Sequence, residues 1–202
     1  SQFLPIRNYK WEARRGHLKD NPELQKEWLN TILNTKDNSP KGYFLNIKAH
    51  FPKNTHDFLK ELPPAVENIA VKRDWLSYHN KEQIEKLDNN WFSSTKKLVT
   101  HLGPWDNYVI HYLELQYYVK LGLVIDEVYE ILSFEQTNWL ASYIKFNTEM
   151  RQKAVNDFEK NFFKLMNNAV YGKTMENVRN YQDVKLMPMR NKDDDKKYRK
   201  KV

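Results

Sequence analysis

The chain has 202 residues, with 33 Lys and Arg against 26 Asp and Glu, a formal net charge of +7 and a pI near 9.3. Hydrophobic residues make up 40% and aromatics 14%, enough to bury a sizeable core in one domain or in a piece of a larger protein. Cys is absent, which excludes a disulfide framework, a thiolate metal site and a thiol nucleophile.

No apolar run reaches membrane length and no signal peptide opens the chain. An intracellular protein, nuclear or cytoplasmic and not secreted, is expected, with no membrane partner. The positive balance suits a polyanion, with another protein as the alternative partner.

In chain order, Phe3 to Trp11 reads as an extended lead-in. Pro22 to Asn34 places Pro at a helix start and Leu24, Trp28, Leu29 and Ile32 at helical spacing. Asp37 to Gly42 is turn chemistry, and Gly42 to Phe51 follows as a strand. A short helix is expected over Pro52 to Leu62, capped by Asn54 or Thr55. Leu62 to Asn68 reads as a proline-rich turn. Between Val71 and Leu98 the core candidates are Trp75, Leu76, Ile84, Leu87, Trp91 and Phe92, with helix around Lys81 to Asp88.

Lys96 to Tyr112 reads as two strands of a hairpin around Gly103-Pro104-Trp105-Asp106, with His101 and His111 facing each other across it. Leu113 to Leu121 is a short helix stopped by Gly122. The β-branched stretch Leu123 to Glu135 is a strand. Asn138 to Lys153 is helical, with Trp139, Leu140, Ile144 and Phe146 as its packing residues. After Asn177 a strand is expected to about residue 187. Residues 188–202 hold seven basic residues against three acidic ones, a solvated and disordered tail.

The most informative stretch is Asn156 to Asn177, one long helix ending in a turn at Gly172. Phe158, Phe162, Leu165 and Ala169 share one face. Asp157, Lys160, Lys164, Asn168 and Tyr171 share a neighbouring polar face. A cation, an amide and a flat ring along two turns are what a nucleoside triphosphate asks for. The alternative is a solvated face over an aromatic core. The six His residues show no metal-ligand spacing, and no Ser/His/Asp arrangement or phosphate-cradling glycine loop is present.

The run Lys164-Leu-Met-Asn-Asn168-Ala-Val-Tyr171-Gly172 resembles the fingers motif of family B DNA polymerases, lysine, three residues, asparagine, serine, any residue, tyrosine, glycine. Ala169 stands where the family has serine. The wider FFKLMNNAVYGKTMENVR is most similar to the protein-primed branch, as in Maverick or Polinton elements, virophages, adenoviruses and linear plasmids. The resemblance implies an α+β, helix-rich fold, with a small antiparallel palm-like sheet and a two-helix antiparallel fingers hairpin. It divides the chain into a palm-like portion with helical insertions over 1–137, fingers helices over 138–178, a return strand over 179–187 and the tail over 188–202.

It also implies nucleotide contacts from Lys164, Asn168, Tyr171, Gly172 and Arg151 and a nucleic-acid partner, DNA ahead of RNA, for Lys160 and Lys173. By charge alone the tail adds Lys197, Arg199 and Lys200 as an electrostatic arm for nucleic acid or a nuclear-import signal. In the same register, GYFLNIKAHF aligns with the strand of the first catalytic motif. The palm aspartate then falls on Lys48 and the carboxylate two residues later on His50. Magnesium wants hard oxygen ligands, which a lysine ammonium cannot supply. No catalytic residue, metal site or cofactor is therefore expected; magnesium would belong to an intact centre.

An exonuclease domain, a second palm motif and a thumb are not found in these 202 residues. The expected function is that of a catalytically inactive polymerase remnant, shortened rather than cut from a working enzyme. The alternatives are a fragment of an active polymerase and a pure protein-interaction module.

Overall fold

The structure is a computed structural model that describes residues 2–87 and 92–182. The chain forms two compact units, residues 1–141 and residues 142–202. The fold is α+β, as the resemblance implied.

The first unit is built on a four-stranded antiparallel sheet. Its strands are β1 (Leu4–Ala13), β2 (Lys41–His50), β5 (Trp105–His111) and β6 (Val124–Thr137), in the order β1-β6-β2-β5. Alternation along β2 sorts its side chains. Tyr43, Leu45, Ile47 and Ala49 are buried, whereas Lys48 is exposed and Phe44, Asn46 and His50 are half-buried.

The buried row meets two helices. Helix α1 (Pro22–Leu33) starts where Asn21 Oδ1 accepts from the Leu24 amide at 3.1 Å. It buries Ile32 and packs Leu24, Trp28, Leu29 and Leu33 against the core. Helix α4 (Tyr112–Lys120) buries Tyr112, Leu115 and Tyr118, spaced by three. The Gln116 amide donates to the carbonyls of Ile32 and Thr35, both at 2.8 Å, tying α4 to the end of α1. The Tyr118 hydroxyl lies 2.6 Å from the Pro64 carbonyl and 2.7 Å from Glu114.

Short helices α2 (Lys53–Leu59) and α3 (Tyr78–Lys86) precede and follow β3 (Ala65–Ile69) in the chain, and β3 pairs with β4 (Lys97–His101) in a second, two-stranded sheet. Two expectations change here. Leu62 to Asn68 is not only a turn, because Ala65–Ile69 pairs in register with β4. The stretch Lys96 to Tyr112 does form two strands, but they are not a hairpin. β4 pairs with β3, and β5 pairs with β2.

Gly103 lies between β4 and β5 with φ 88, and a Cβ there would meet the Trp105 ring at 3.0 Å and the His50 backbone at 3.1 Å. The chain thus passes from one sheet to the other at a point of close approach. His101 and His111 consequently do not face each other. His101 bonds Glu67 at 3.0 Å, and His111 packs on Phe44 at 5.3 Å between ring centroids. The cap of α2 is Pro52 without a side-chain bond. Thr55 instead donates back to the Pro52 carbonyl. Trp75 and Leu87, expected in the core, are exposed.

The second unit holds the pair α5 (Ala141–Lys153) and α6 (Asp157–Thr174). Asn156 caps α6, its Oδ1 accepting from the Glu159 amide at 2.8 Å. A connection of three residues makes the two helices antiparallel. Asn147 is the one buried residue of α5, and its Nδ2 donates to Asn167 Oδ1 at 3.0 Å. Tyr143 donates to the Met166 carbonyl at 3.4 Å.

The expected apolar contacts are weaker than the spacing promised. Phe146 is exposed, as are Phe158, Phe162 and Leu165, so the α6 stripe covers no core among the described residues. Residues 178–180 form a 3-10 turn rather than the start of a strand, and 183–187 lie outside the described residues.

Candidate nucleic-acid interface

The unburied row of β2 lies on the sheet face turned away from α1 and α4. Antiparallel register sets each residue of this row opposite a β6 partner: Phe44 opposite Leu132, Asn46 opposite Glu130, Lys48 opposite Glu127. Asn46 Nδ2 donates to Glu130 at 3.0 Å, and His50 Nδ1 lies 2.9 Å from Asp126. Tyr129 of β6 gives its hydroxyl to Asp106 at 2.7 Å. Because β2 lies between β6 and β5, that bond crosses over β2. The carboxylate so placed pushes the Tyr129 phenol up to about 12.

Lys48 is therefore exposed among carboxylates, most of which have partners of their own. Among the described residues no three His, Asp or Glu side chains are grouped so as to hold a metal ion. Reading the sequence around Lys48 missed these β6 acids. The signal was present in Ile125-Asp126-Glu127-Val128-Tyr129-Glu130, where the acids flank the apolar residues that β6 buries.

On α6, Lys164, Asn168 and Tyr171 are all exposed and share one strip, which borders the half-buried face of Phe163, Met166, Asn167 and Val170. Lys160 belongs to the same strip and pairs with Asp157 at 3.6 Å. Lys173, in the last turn, pairs with Glu176 and lies 5.9 Å over the Tyr181 ring. Arg151 is exposed in the last turn of α5. Met150 beside it lines one cavity with Phe158, Phe162 and Phe163, so Arg151 stands level with the first half of α6 rather than with Tyr171.

The structure thus brings Lys160, Lys164, Asn168 and Tyr171 together, and sets Arg151 at the connection end. Gly172 departs from expectation. It lies inside α6, which continues to Thr174, and a Cβ there would meet nothing within 4 Å. Lys197, Arg199 and Lys200 lie outside the described residues, as does the whole of the tail.

The chain thus presents an antiparallel sheet unit followed by a helical pair bearing Lys164, Asn168 and Tyr171. Residues 83–202 match the family described as DNA polymerase type B, organellar and viral, and the chain belongs to that family. The matched span includes α6 and begins after β2, so it does not reach Lys48. No curated protein and no solved structure matches the chain. No helix among the described residues is long and apolar enough to cross a membrane.

Proposed function

We propose that this chain is a nucleic-acid-binding derivative of a protein-primed family B polymerase in which the palm no longer performs phosphoryl transfer. The observation that carries the reading is Lys48, exposed on β2 opposite Glu127, where the sequence resemblance aligns the palm aspartate. Two magnesium ions would need several free carboxylate oxygens there. The acids there are instead engaged, Asp126 with His50 and Glu130 with Asn46, and Lys48 sets an ammonium opposite Glu127. These residues do not fit the ions.

What the chain keeps is a cationic strip. Lys160 and Lys164 offer charge to a phosphate backbone, Asn168 an amide, and Tyr171 a plane on which a base or sugar can rest. Binding of this kind is driven by counterion release and falls steeply with salt. The wording FFKLMNNAVYGKTMENVR supports the protein-primed type, the +7 charge supports a polyanionic partner, and the DNA polymerase family supports DNA as that partner.

The test is titration of labelled single-stranded and primer–template DNA at two salt concentrations. Magnesium nucleotide is present or absent, and a primer-extension assay runs alongside. Expected are a steep salt slope, no response to nucleotide and no extension. Lys164→Ala should flatten the slope by about one phosphate contact. If nucleotide with magnesium tightens the complex and Lys164→Ala abolishes that gain, the centre is assembled and the reading fails.

One observation favours a second reading, a protein-docking module. Phe158 is 79% exposed and Leu165 63%, a stripe suited to a partner's groove. That reading gains if no DNA binds at all.

A further inference from the structure

We infer that the edge strand β1 is a binding platform for single-stranded nucleic acid, independent of the fingers strip, with Tyr9 and Trp11 as its stacking rings. β1 pairs with β6 alone and forms one edge of the sheet. From Ile6 to Trp11 six consecutive residues are exposed. An edge strand carrying exposed rings would ordinarily be a liability, blunted by charge. Here the charge is of one sign. Residues 7–15 read Arg-Asn-Tyr-Lys-Trp-Glu-Ala-Arg-Arg, four cations against Glu12 alone.

Even Glu12 is spent locally. Its carboxylate lies 3.2 Å from Lys10 and 2.8 Å from Lys41, so two cations share one anion. Arg7 is answered by Glu135 at 2.9 Å. Arg14 and Arg15 remain exposed, and the Arg15 guanidinium stands 4.7 Å over the Tyr129 ring. Five cations (Arg7, Lys10, Arg14, Arg15, Lys41) against three anions (Glu12, Glu135 and Glu130, which shares the Trp11 groove) leave an excess of two along the strand.

The rings are seated but not covered. Tyr9 lies 6.0 Å from Phe134 and is still 58% exposed. Trp11, 46% exposed, sits opposite Leu132 and walls a groove of about 280 Å³ with Phe44, Asn46, Val109 and Glu130. Each ring is thus held against the sheet with exposed surface left for a ligand.

Residues two apart on a strand stand roughly 6.8 Å apart, about twice the 3.4 Å rise per nucleotide of a duplex strand. An extended single strand can lay a base on each ring. A duplex cannot, because its base faces are already stacked. Positive rim and stacking rings together are the chemistry of sequence-tolerant single-strand binding.

The test uses the full chain and a labelled twelve-nucleotide oligothymidine, with the same length of duplex as control. Tyr9→Leu/Trp11→Leu keeps apolar contact with Phe134 and Leu132 but removes both planes. It should weaken oligothymidine binding by roughly ten- to a hundredfold and leave duplex affinity unchanged. Tyr9→Phe/Trp11→Phe, which keeps the planes, should bind as the wild type does. Arg14→Gln/Arg15→Gln should lower the salt slope by about 1.4, two single-strand phosphate contacts. The inference is overturned if the leucine pair binds oligothymidine as tightly as the wild type, if it loses duplex to the same degree, or if the wild type does not bind the oligonucleotide. Lys164→Ala, which tests the fingers strip, should leave the ratio between wild type and leucine pair unchanged, so the two readings fail separately.

Discussion

The sheet unit and the helical pair carry apolar residues at equally regular spacing, yet they use them in opposite ways. Along β2, Leu45, Ile47 and Ala49 are at most 1% exposed, because α1 and α4 close over them. Along α6, Phe158, Phe162 and Leu165 have no such cover, and no residue of that helix is buried. The sheet unit is held by area removed from water. The helical pair is held at its centre by an amide-to-amide hydrogen bond, Asn147 to Asn167. An apolar stripe is therefore an offer of burial, and a second surface decides whether the offer is taken up.

The contrast breaks most visibly in stability. Ile47→Ala or Leu115→Ala should cost about 2–5 kcal/mol in denaturant unfolding, since each leaves a cavity in a closed core. Phe158→Ala should cost below about 0.5 kcal/mol in the same assay. A large loss at Phe158 would mean that the stripe is covered in solution.

Asn147→Ala should cost about 1–3 kcal/mol, read by thermal unfolding of the α5–α6 signal, because it leaves the Asn167 carbonyl without its donor. The double variant with Asn167→Ala should recover part of that loss, and a double-mutant cycle measures how much.

Gly172→Ala should stabilise α6 by up to about 1 kcal/mol, since the position is helical and empty around its Cβ. If DNA or nucleotide affinity falls while stability rises, the glycine serves a ligand's close approach rather than the helix.

A further small effect is a pH dependence. Hydrogen bonds from Lys41, Ser133 and Lys10 hold the Glu12 carboxyl down at about 2 against the upward push of burial, with Lys41 the largest cause. The carboxylate is lowered in the folded state, so its stabilisation is present above about 4.5. It is lost as the pH falls from there towards about 2. With its lysines largely in solvent the gain should stay below about 1 kcal/mol. Glu12→Gln should flatten the acid limb of stability against pH, and an unchanged limb would assign it to other carboxylates.

Much of this was legible from local chemistry. Pro22 with Leu24, Trp28 and Ile32 announced α1, and alternation over Gly42 to Phe51 announced β2, each within a residue or two. The strip of Lys164, Asn168 and Tyr171 followed from helical spacing alone. Illegible were partners. Lys97–His101 and Trp105–His111 read as a hairpin because they are close in sequence, and each paired elsewhere. Gly172 read as a stop because glycine permits one, and here the helix runs through it. The acids around Lys48 went unseen because Asp126, Glu127 and Glu130 lie about eighty residues away in the chain.

By itself, then, the sequence determined the kinds of element, the faces they present and the family to which the chain belongs. Helix and strand periods, caps and charge are properties of neighbouring residues, and they are written wherever those residues are. Only the tertiary structure decided which strands pair, that Lys48 is opposite Glu127, that the α6 stripe is uncovered and that Tyr9 and Trp11 stand exposed on an edge. Pairing and burial depend on which distant surfaces meet, and the free energy of that meeting belongs to both surfaces at once.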